Sequence, residues 1–409
     1  MRILDVSPRI VFPPRDGAMF RIYYLLLYLS RNHTVRQFAQ ASLGNFWRRP
    51  FERAVRINSS YHEFRYTHLI PAAAVQFFHR VHASGAGLRI VRPARLQRWF
   101  DWADVTLVEQ PWQFRYCRLR NPGGLLVLAM HNFEALTSAS NAEAARIPPA
   151  LSFWYRYSVA AEKRAMKDAD LILAVSPEDR QGFIDTYGVD PDRVVVIPNG
   201  ADTERLVPVG PEQKRFLKRR LQLPARPTIV FLASKPSPPH AAALDWIHRL
   251  SAVLRDYTFL VVGGVVPKAE MLGNLVTTGV VEDPSPYLQA SDFAVCPIQF
   301  GGGTKIKVLE CLSVGLPMVA FHEAIHGTVL RAEEHVLVSV ESEAAILAAL
   351  RRLIDDPQNA RRLGARGRAL VVERYDWKIS GRRLECALME LVENRRRRGA
   401  AFSAQGVAS

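Results

Sequence analysis

Short apolar runs of strand length alternate with longer stretches of helical periodicity along most of this chain. The first run, Ile3-Leu4-Asp5-Val6, leads into a Pro- and Gly-containing loop from Ser7 to Gly17, and then into an apolar stretch from about Ala18 to Ser30 that predicts a helix. Further runs at Val105 to Val108, Leu125 to Met130, Leu171 to Val175 and Val194 to Ile197 predict strands, most with enough chain between them for a helix. Strands that are apolar throughout belong to parallel sheets covered on both faces. The pattern therefore predicts a doubly wound α/β domain.

The same alternation restarts after a polar, basic stretch carrying Pro208, Pro211, Pro224 and Pro227. Thr228 to Leu232 reads as the first strand of a new sheet, continued by Thr258 to Val262, Leu275 to Val280, Phe293 to Cys296, Met318 to Phe321 and Val336 to Val338. This places one domain at residues 1–206 and a second at 207–394, with helical, charged sequence from Ser342 to Arg397 whose last helices can pack back on the first domain. Residues 395–409, a basic run followed by mostly small residues, read as a disordered tail.

Composition narrows the class. A chain of 409 residues exceeds what one hydrophobic core usually supports, and 48% apolar with 23% charged residues is ordinary for a globular enzyme. Cys117, Cys296, Cys311 and Cys386 are far apart and form no C-x-x-C pair, which argues against a disulfide framework or a zinc knuckle. The start, Met1-Arg2-Ile3-Leu4-Asp5, has no secretory apolar stretch, and nothing later approaches the length of a membrane span. A cytoplasmic location is expected. The net charge of +15 attracts anions, and much of it lies between Val35 and Arg120 among aromatics: Phe46-Trp47-Arg48-Arg49, Arg98-Trp99-Phe100 and Phe114-Arg115-Tyr116. That mixture fits peripheral association with an anionic membrane surface, and equally fits solvated helix faces. No nucleic-acid-binding module is apparent.

In open parallel sheets, ligands sit beyond the carboxyl ends of the strands. After Phe293 to Cys296 come Gly301-Gly302-Gly303-Thr304-Lys305 and then a helix, an arrangement in which backbone amides and a helix N-terminus suit a diphosphate. Glu310, two turns into that helix among apolar neighbours, needs either an ion pair or hydrogen-bond donors such as ribose hydroxyls. Other strand-end loops carry Gly17, opening the first helix, then Ser234 and Lys235, and Glu282 beside Asp283; each reads as a cleft residue or as an ordinary turn or solvated side chain. The first loop lacks G-x-G-x-x-G, which disfavours a nicotinamide site.

The run Gly301 to Pro317 resembles the donor-site signature of family-four retaining glycosyltransferases of the GT-B fold. Asp168-Ala169-Asp170 through Ser176, Ile197-Pro198-Asn199-Gly200-Ala201-Asp202, Ser237-Pro238-Pro239-His240 and Tyr375-Asp376-Trp377 resemble the family in the same order. The resemblance implies two Rossmann-like domains facing a cleft, a nucleotide-diphosphate sugar as donor, no further cofactor, and a glycan, lipid-linked or small-molecule acceptor, as in cell envelope polysaccharide biosynthesis. It further implies that Glu310 holds the ribose and that His131, in Met130-His131-Asn132-Phe133-Glu134, faces the transferred sugar. Gly302, Gly303 and Thr304 would cradle the diphosphate, with Lys305 or Lys235 supplying charge. No metal cluster is evident, so a metal-independent reaction is expected. The family usually places a glutamate where this chain has Gly302. A sugar-nucleotide epimerase or hydrolase of the same fold, or an inactive nucleotide-sugar-binding protein, are the alternative readings.

Overall fold

Two largely parallel sheets form, and their strand orders decide which loops meet. In the computed structural model, which describes residues 1–41, 54–67, 88, 92–144 and 146–406, the first sheet holds β1 (Arg2–Ser7), β2 (Thr34–Ala41), β3 (Ala54–Arg56), β4 (Tyr61–Thr67), β5 (Val105–Glu109), β6 (Leu126–Ala129), β7 (Leu171–Ala174) and β8 (Val194–Val196). Its order is β3-β4-β2-β1-β5-β6-β7-β8, parallel except where β3 meets β4. The second sheet holds β9 (Thr228–Leu232), β10 (Thr258–Val262), β11 (Ala269–Leu272), β12 (Leu275–Thr278), β13 (Phe293–Cys296), β14 (Met318–Phe321) and β15 (Leu337–Ser339). Its order is β11-β12-β10-β9-β13-β14-β15, with only the β11 edge antiparallel.

Burial explains the elements. Every residue of β5, β6, β7, β10 and β14 is buried, as helices on both sheet faces require. The helix Gly17–Leu29 turns Ile22, Leu25, Leu26 and Leu29 inward, and the Asp16 side chain caps it by accepting from the Met19 amide at 3.1 Å. In both sheets the order reverses beside the first strand, at β1/β5 and at β9/β13, so the loops after those strands diverge and leave a crevice.

The final helix, Trp377–Gly406, returns to the first domain. Trp377 stacks on Tyr24 with ring centroids 5.5 Å apart, and Leu384, Leu388 and Val392 share a core with Ile22, Leu26 and Leu29. The segment expected to be a disordered tail from Arg395 instead continues this helix as far as Gly406. Arginine and alanine favour helix there, and Arg397 pairs with Glu393 at 3.0 Å one turn earlier.

The basic-aromatic region between Val35 and Arg120 is in part internal packing. Strands β2 and β4, absent from the sequence reading, lie within it, and Arg36 sits 4.0 Å over Trp102 while Arg95 sits 4.2 Å over Phe64. Phe100, Phe114 and Tyr116 are buried. Phe46-Trp47-Arg48-Arg49 lies outside the described residues. Among the described residues no helix is long and apolar enough to cross a membrane.

Candidate active site

The glycine turn after β13 is held from beneath by Lys305. Gly301 and Gly303 take φ values of 113° and 72°, a region that favours glycine. The Lys305 ammonium lies 2.7 Å from the Gly301 carbonyl, 2.9 Å from that of Gly303 and 2.9 Å from Glu323 Oε1. Three protons meet three acceptors. Lys305 therefore shapes the turn, and its ammonium is engaged by the protein where the sequence offered it to a diphosphate.

The helix Ile306–Ser313 places Lys307 and Glu310 one turn apart on the cavity side. Lys307 Nζ is 2.5 Å from His240 Nε2, and His240 Nδ1 donates to the Lys235 carbonyl at 2.6 Å. Burial and the adjacent Lys307 push the His240 pKa down to about 4, which keeps its Nε2 an acceptor. Burial lowers Lys307 itself to about 8. Burial also raises Glu310 to about 7, against the pull of Lys307 and Arg205. The Glu310 carboxylate has no hydrogen-bond partner among the described residues. Asp283, beside Glu282, is instead paired with Arg205.

The first domain supplies the opposite wall. Glu63 of β4 accepts from the Val11 and Phe12 amides at 2.7 and 2.9 Å and from Arg65 Nε at 2.8 Å, and Arg65 Nη2 donates to the Phe12 carbonyl at 2.7 Å. That clamp fixes the loop after β1. At the loop's end Asp16 meets Arg9 at 3.1 Å and, across the cleft, Lys235 at 2.9 Å. Burial would raise the Asp16 pKa, but Arg9 and Lys235 outweigh it and hold the group at about 2.

The turn after β5 is strained. Gln110 has φ 68° and ψ 160°, a region used almost only by glycine that costs a side-chain-bearing residue on the order of 1–3 kcal/mol. Pro111 follows it, and Gln113 Nε2 holds the turn by donating to the carbonyls of Val6 and Glu109. Beside it, His131 Nε2 lies 2.5 Å from Glu109 Oε2. Burial pushes His131 well down and Glu109 up, so both favour their neutral forms.

The two domains meet most closely at the glycines. A Cβ on Gly302 would overlap Thr137 Oγ1 and stand 3.6 Å from Asn132 Cβ, while one on Gly303 would overlap Asn132 Oδ1 and stand 3.1 Å from the His131 carbonyl. A side chain at position 302 would need the Thr137 hydroxyl to move.

Between these walls lies a cavity of about 460 Å³. Gly17, His131, Ser234, Lys235, Glu282, Gly302, Thr304, Lys305 and Glu310 all line it; Gly303 does not, because it backs onto Asn132. The cavity also takes in residues to which the sequence reading gave no role: Arg9, Asp16, Arg21, Gln110, Asn199, His240 and Lys307. Lys307 and Arg21 carried a usable signal, one turn from Glu310 and from Gly17 on their helices. Gln110 carried none. Among the described residues no group of three or more His, Cys, Asp or Glu is placed to hold a metal ion.

Two doubly wound domains facing each other across such a cleft define the GT-B fold. Residues 16–205 match the family described as Glycosyltransferase Family 4, and residues 226–356 match Glycosyl transferases group 1. Together these matches take in well over half of the sequence, and the chain belongs to the family-four glycosyltransferases of the GT-B fold. It is 28% identical over 257 residues to a GDP-mannose-dependent alpha-(1-6)-phosphatidylinositol monomannoside mannosyltransferase of Mycolicibacterium smegmatis, a match covering 58% of this chain and 65% of that protein. The matched stretch is thus less than two thirds of that relative's length. Among solved structures, a sucrose-phosphate synthase from Thermosynechococcus elongatus superposes with a TM-score of 0.77 at 16% identity, over 96% of this chain and 100% of that one. An Anabaena protein in complex with UDP-glucose gives 0.70 at 14% identity, over 95% and 100%.

Proposed function

We propose that this chain transfers a hexosyl group, with retention and without a metal, from a nucleotide-diphosphate sugar to a hydroxyl of a glycan, lipid-linked or small-molecule acceptor. The observation that carries the reading is Glu310, a carboxylate in the cleft wall without a hydrogen-bond partner among the described residues, behind a glycine turn. The two hydroxyls of a ribose supply the donors it lacks. Gly302, Thr304 and the N-terminus of the helix Ile306–Ser313 would then face the diphosphate, with Gly17, Ser234 and Lys235 on its other side. Lys307 takes the charge role expected of Lys305. Glu282 borders the nucleotide and His131 the transferred sugar. The GDP-mannose and phosphatidylinositol mannoside in the mycobacterial relative's name, and the UDP-glucose of the Anabaena complex, support a nucleotide-sugar donor and a lipid-linked acceptor.

In such a transfer the bond from the anomeric carbon to the phosphate oxygen breaks as the acceptor oxygen bonds to the same face. The acceptor's proton passes to the leaving diphosphate. The protein positions the reactants and stabilises diphosphate charge through Lys307, Lys235 and backbone amides. We place the reaction on the cytoplasmic side, where exposed basic residues would hold the protein peripherally against an anionic membrane carrying the acceptor.

A panel of nucleotide sugars, each incubated with and without lipid and glycan extracts, tests this. Nucleotide release that depends on the extract is expected. Turnover without acceptor would instead favour the epimerase or hydrolase reading, and binding without turnover the inactive one.

A further inference from the structure

Three residues on the first domain's wall of the cavity share an uncommon condition. Arg21, Gln110 and His131 are 2%, 5% and 6% exposed. Each keeps one buried polar atom without a protein partner: Arg21 Nη2, Gln110 Oε1 and His131 Nδ1. The remainder of each side chain is anchored. Arg21 Nη1 donates to Asn199 Oδ1 at 3.1 Å, Gln110 Nε2 donates to Glu134 Oε1 at 3.4 Å, and His131 Nε2 faces Glu109. Buried polar atoms without partners are few in native folds. All three residues line the same cavity, and their unpartnered atoms mark that wall as built for a polar ligand.

The backbone points to the same place. Gln110 holds a conformation in which glycine would be unstrained, yet the chain carries an amide side chain there, on the cavity wall. Strain maintained at such a position is explained by what the side chain does.

The chemistry of the three atoms selects among ligands. Arg21 Nη2 is a donor. Gln110 Oε1 is an acceptor because its amide nitrogen is turned to Glu134, and His131 Nδ1, the ring nitrogen turned away from Glu109, accepts or donates according to which of the pair holds the shared proton. A carboxylate or phosphate would suit Arg21 but would press its charge against the lone pairs of Gln110 Oε1. An apolar substituent would satisfy none of them. Hydroxyls both donate and accept, so neighbouring hydroxyls of a neutral sugar satisfy all three.

We propose that Arg21, Gln110 and His131 form a hydroxyl-reading subsite for the transferred sugar, that Gln110 is its specificity-determining residue, and that the sugar is uncharged where it meets them. This rests on the nucleotide-sugar reading given above.

Gln110→Gly removes the side chain and relieves the backbone, so the variant retains its fold, which thermal unfolding verifies. Calorimetry then compares UDP with UDP-glucose and GDP with GDP-mannose on both proteins, and UDP-glucuronate with UDP-glucose on the wild type. The expected result is that the variant loses about tenfold in affinity for the sugar nucleotide that the wild type binds, the scale of one buried hydrogen bond, with the matching nucleoside diphosphate unchanged. Equal losses for nucleotide and sugar nucleotide, no loss for either, or tighter wild-type binding of UDP-glucuronate than of UDP-glucose would each overturn the subsite. A wild type that binds none of these nucleotides would overturn the donor reading itself, and the subsite with it.

Discussion

Gly302 lies directly against Thr137: a Cβ there would overlap the Thr137 hydroxyl, which donates to the Phe133 carbonyl at 3.1 Å and so is not free to swing aside. The resemblance of the run Gly301 to Pro317 to the family's donor-site signature puts Gly302 where that signature has a glutamate. In this chain the first turn of the helix Glu134–Ala144 occupies that space. The two domains approach closely at this point, and the glycines serve that contact.

Gly302→Ala should lower kcat/KM for donor turnover by about tenfold, on the scale of about 1–3 kcal/mol for overpacking, and Gly302→Glu by more. Thr137→Ala, combined with Gly302→Ala, should restore part of the loss. The measurement is a double-mutant cycle, and strictly additive losses would show that the two residues do not meet.

Lys305→Ala should destabilise the protein by about 1–3 kcal/mol, because it strands the Gly301 and Gly303 carbonyls and Glu323 in a largely buried place. Urea unfolding reads this. If stability is unchanged while nucleotide affinity collapses, Lys305 faces the ligand after all.

What the chain's pattern revealed, and what it hid, follows one physical division. β9 and β13 are mostly apolar runs, and β1 carries Ile3, Leu4 and Val6 around Asp5, so both sheets and the loops beyond their ends were legible, and with them Glu310 and Gly302. β2 and β4 were not. Gln37, Glu63 and Arg65 are polar yet buried, because their partners come from distant segments: Asp5 and Tyr61 for Gln37, the Val11 and Phe12 backbone for Glu63 and Arg65. Such strands imitate a solvated surface. Arg21 was hidden in the same way, and the acceptor from Glu323 that engages Lys305 lies 18 positions away. The strain at Gln110 exists only once Gln113 has tied down the turn.

Glu63 shows how much rests on those hidden strands. Glu63→Ala leaves two amides without their acceptor and takes the carboxylate from the buried Arg65, whose Nη2 still meets the Phe12 carbonyl, and should cost about 3–5 kcal/mol, the scale for removing one partner of a buried ion pair. Glu63→Gln, which retains an oxygen for the amides, should lose less stability. Because the freed loop carries Arg9 and Asp16 to the cavity, donor affinity should fall further in the alanine variant than in the glutamine one. Thermal unfolding together with calorimetry checks both, and donor affinity unchanged in a folded Glu63→Ala protein would remove its positioning role.

Glu310 makes a prediction in pH. Burial raises its pKa from the ordinary 4.5 to about 7. Below pH 4.5 the group is protonated in the folded and unfolded chains alike and contributes nothing. Between 4.5 and 7 the unfolded chain releases the proton while the folded one keeps it, so the folded state binds more protons and its stability falls as pH rises. Above 7 the penalty is constant. Glu310→Gln should therefore match wild-type stability at pH 4 and exceed it at pH 8. Nucleotide affinity should run the other way, because an ionised carboxylate accepts ribose hydroxyls more strongly: about a tenfold gain for the wild type as pH passes through 7, and a flat, weaker profile for Glu310→Gln. Calorimetric titration across that range, on both proteins, reads the difference directly, and identical profiles would take the ribose away from Glu310.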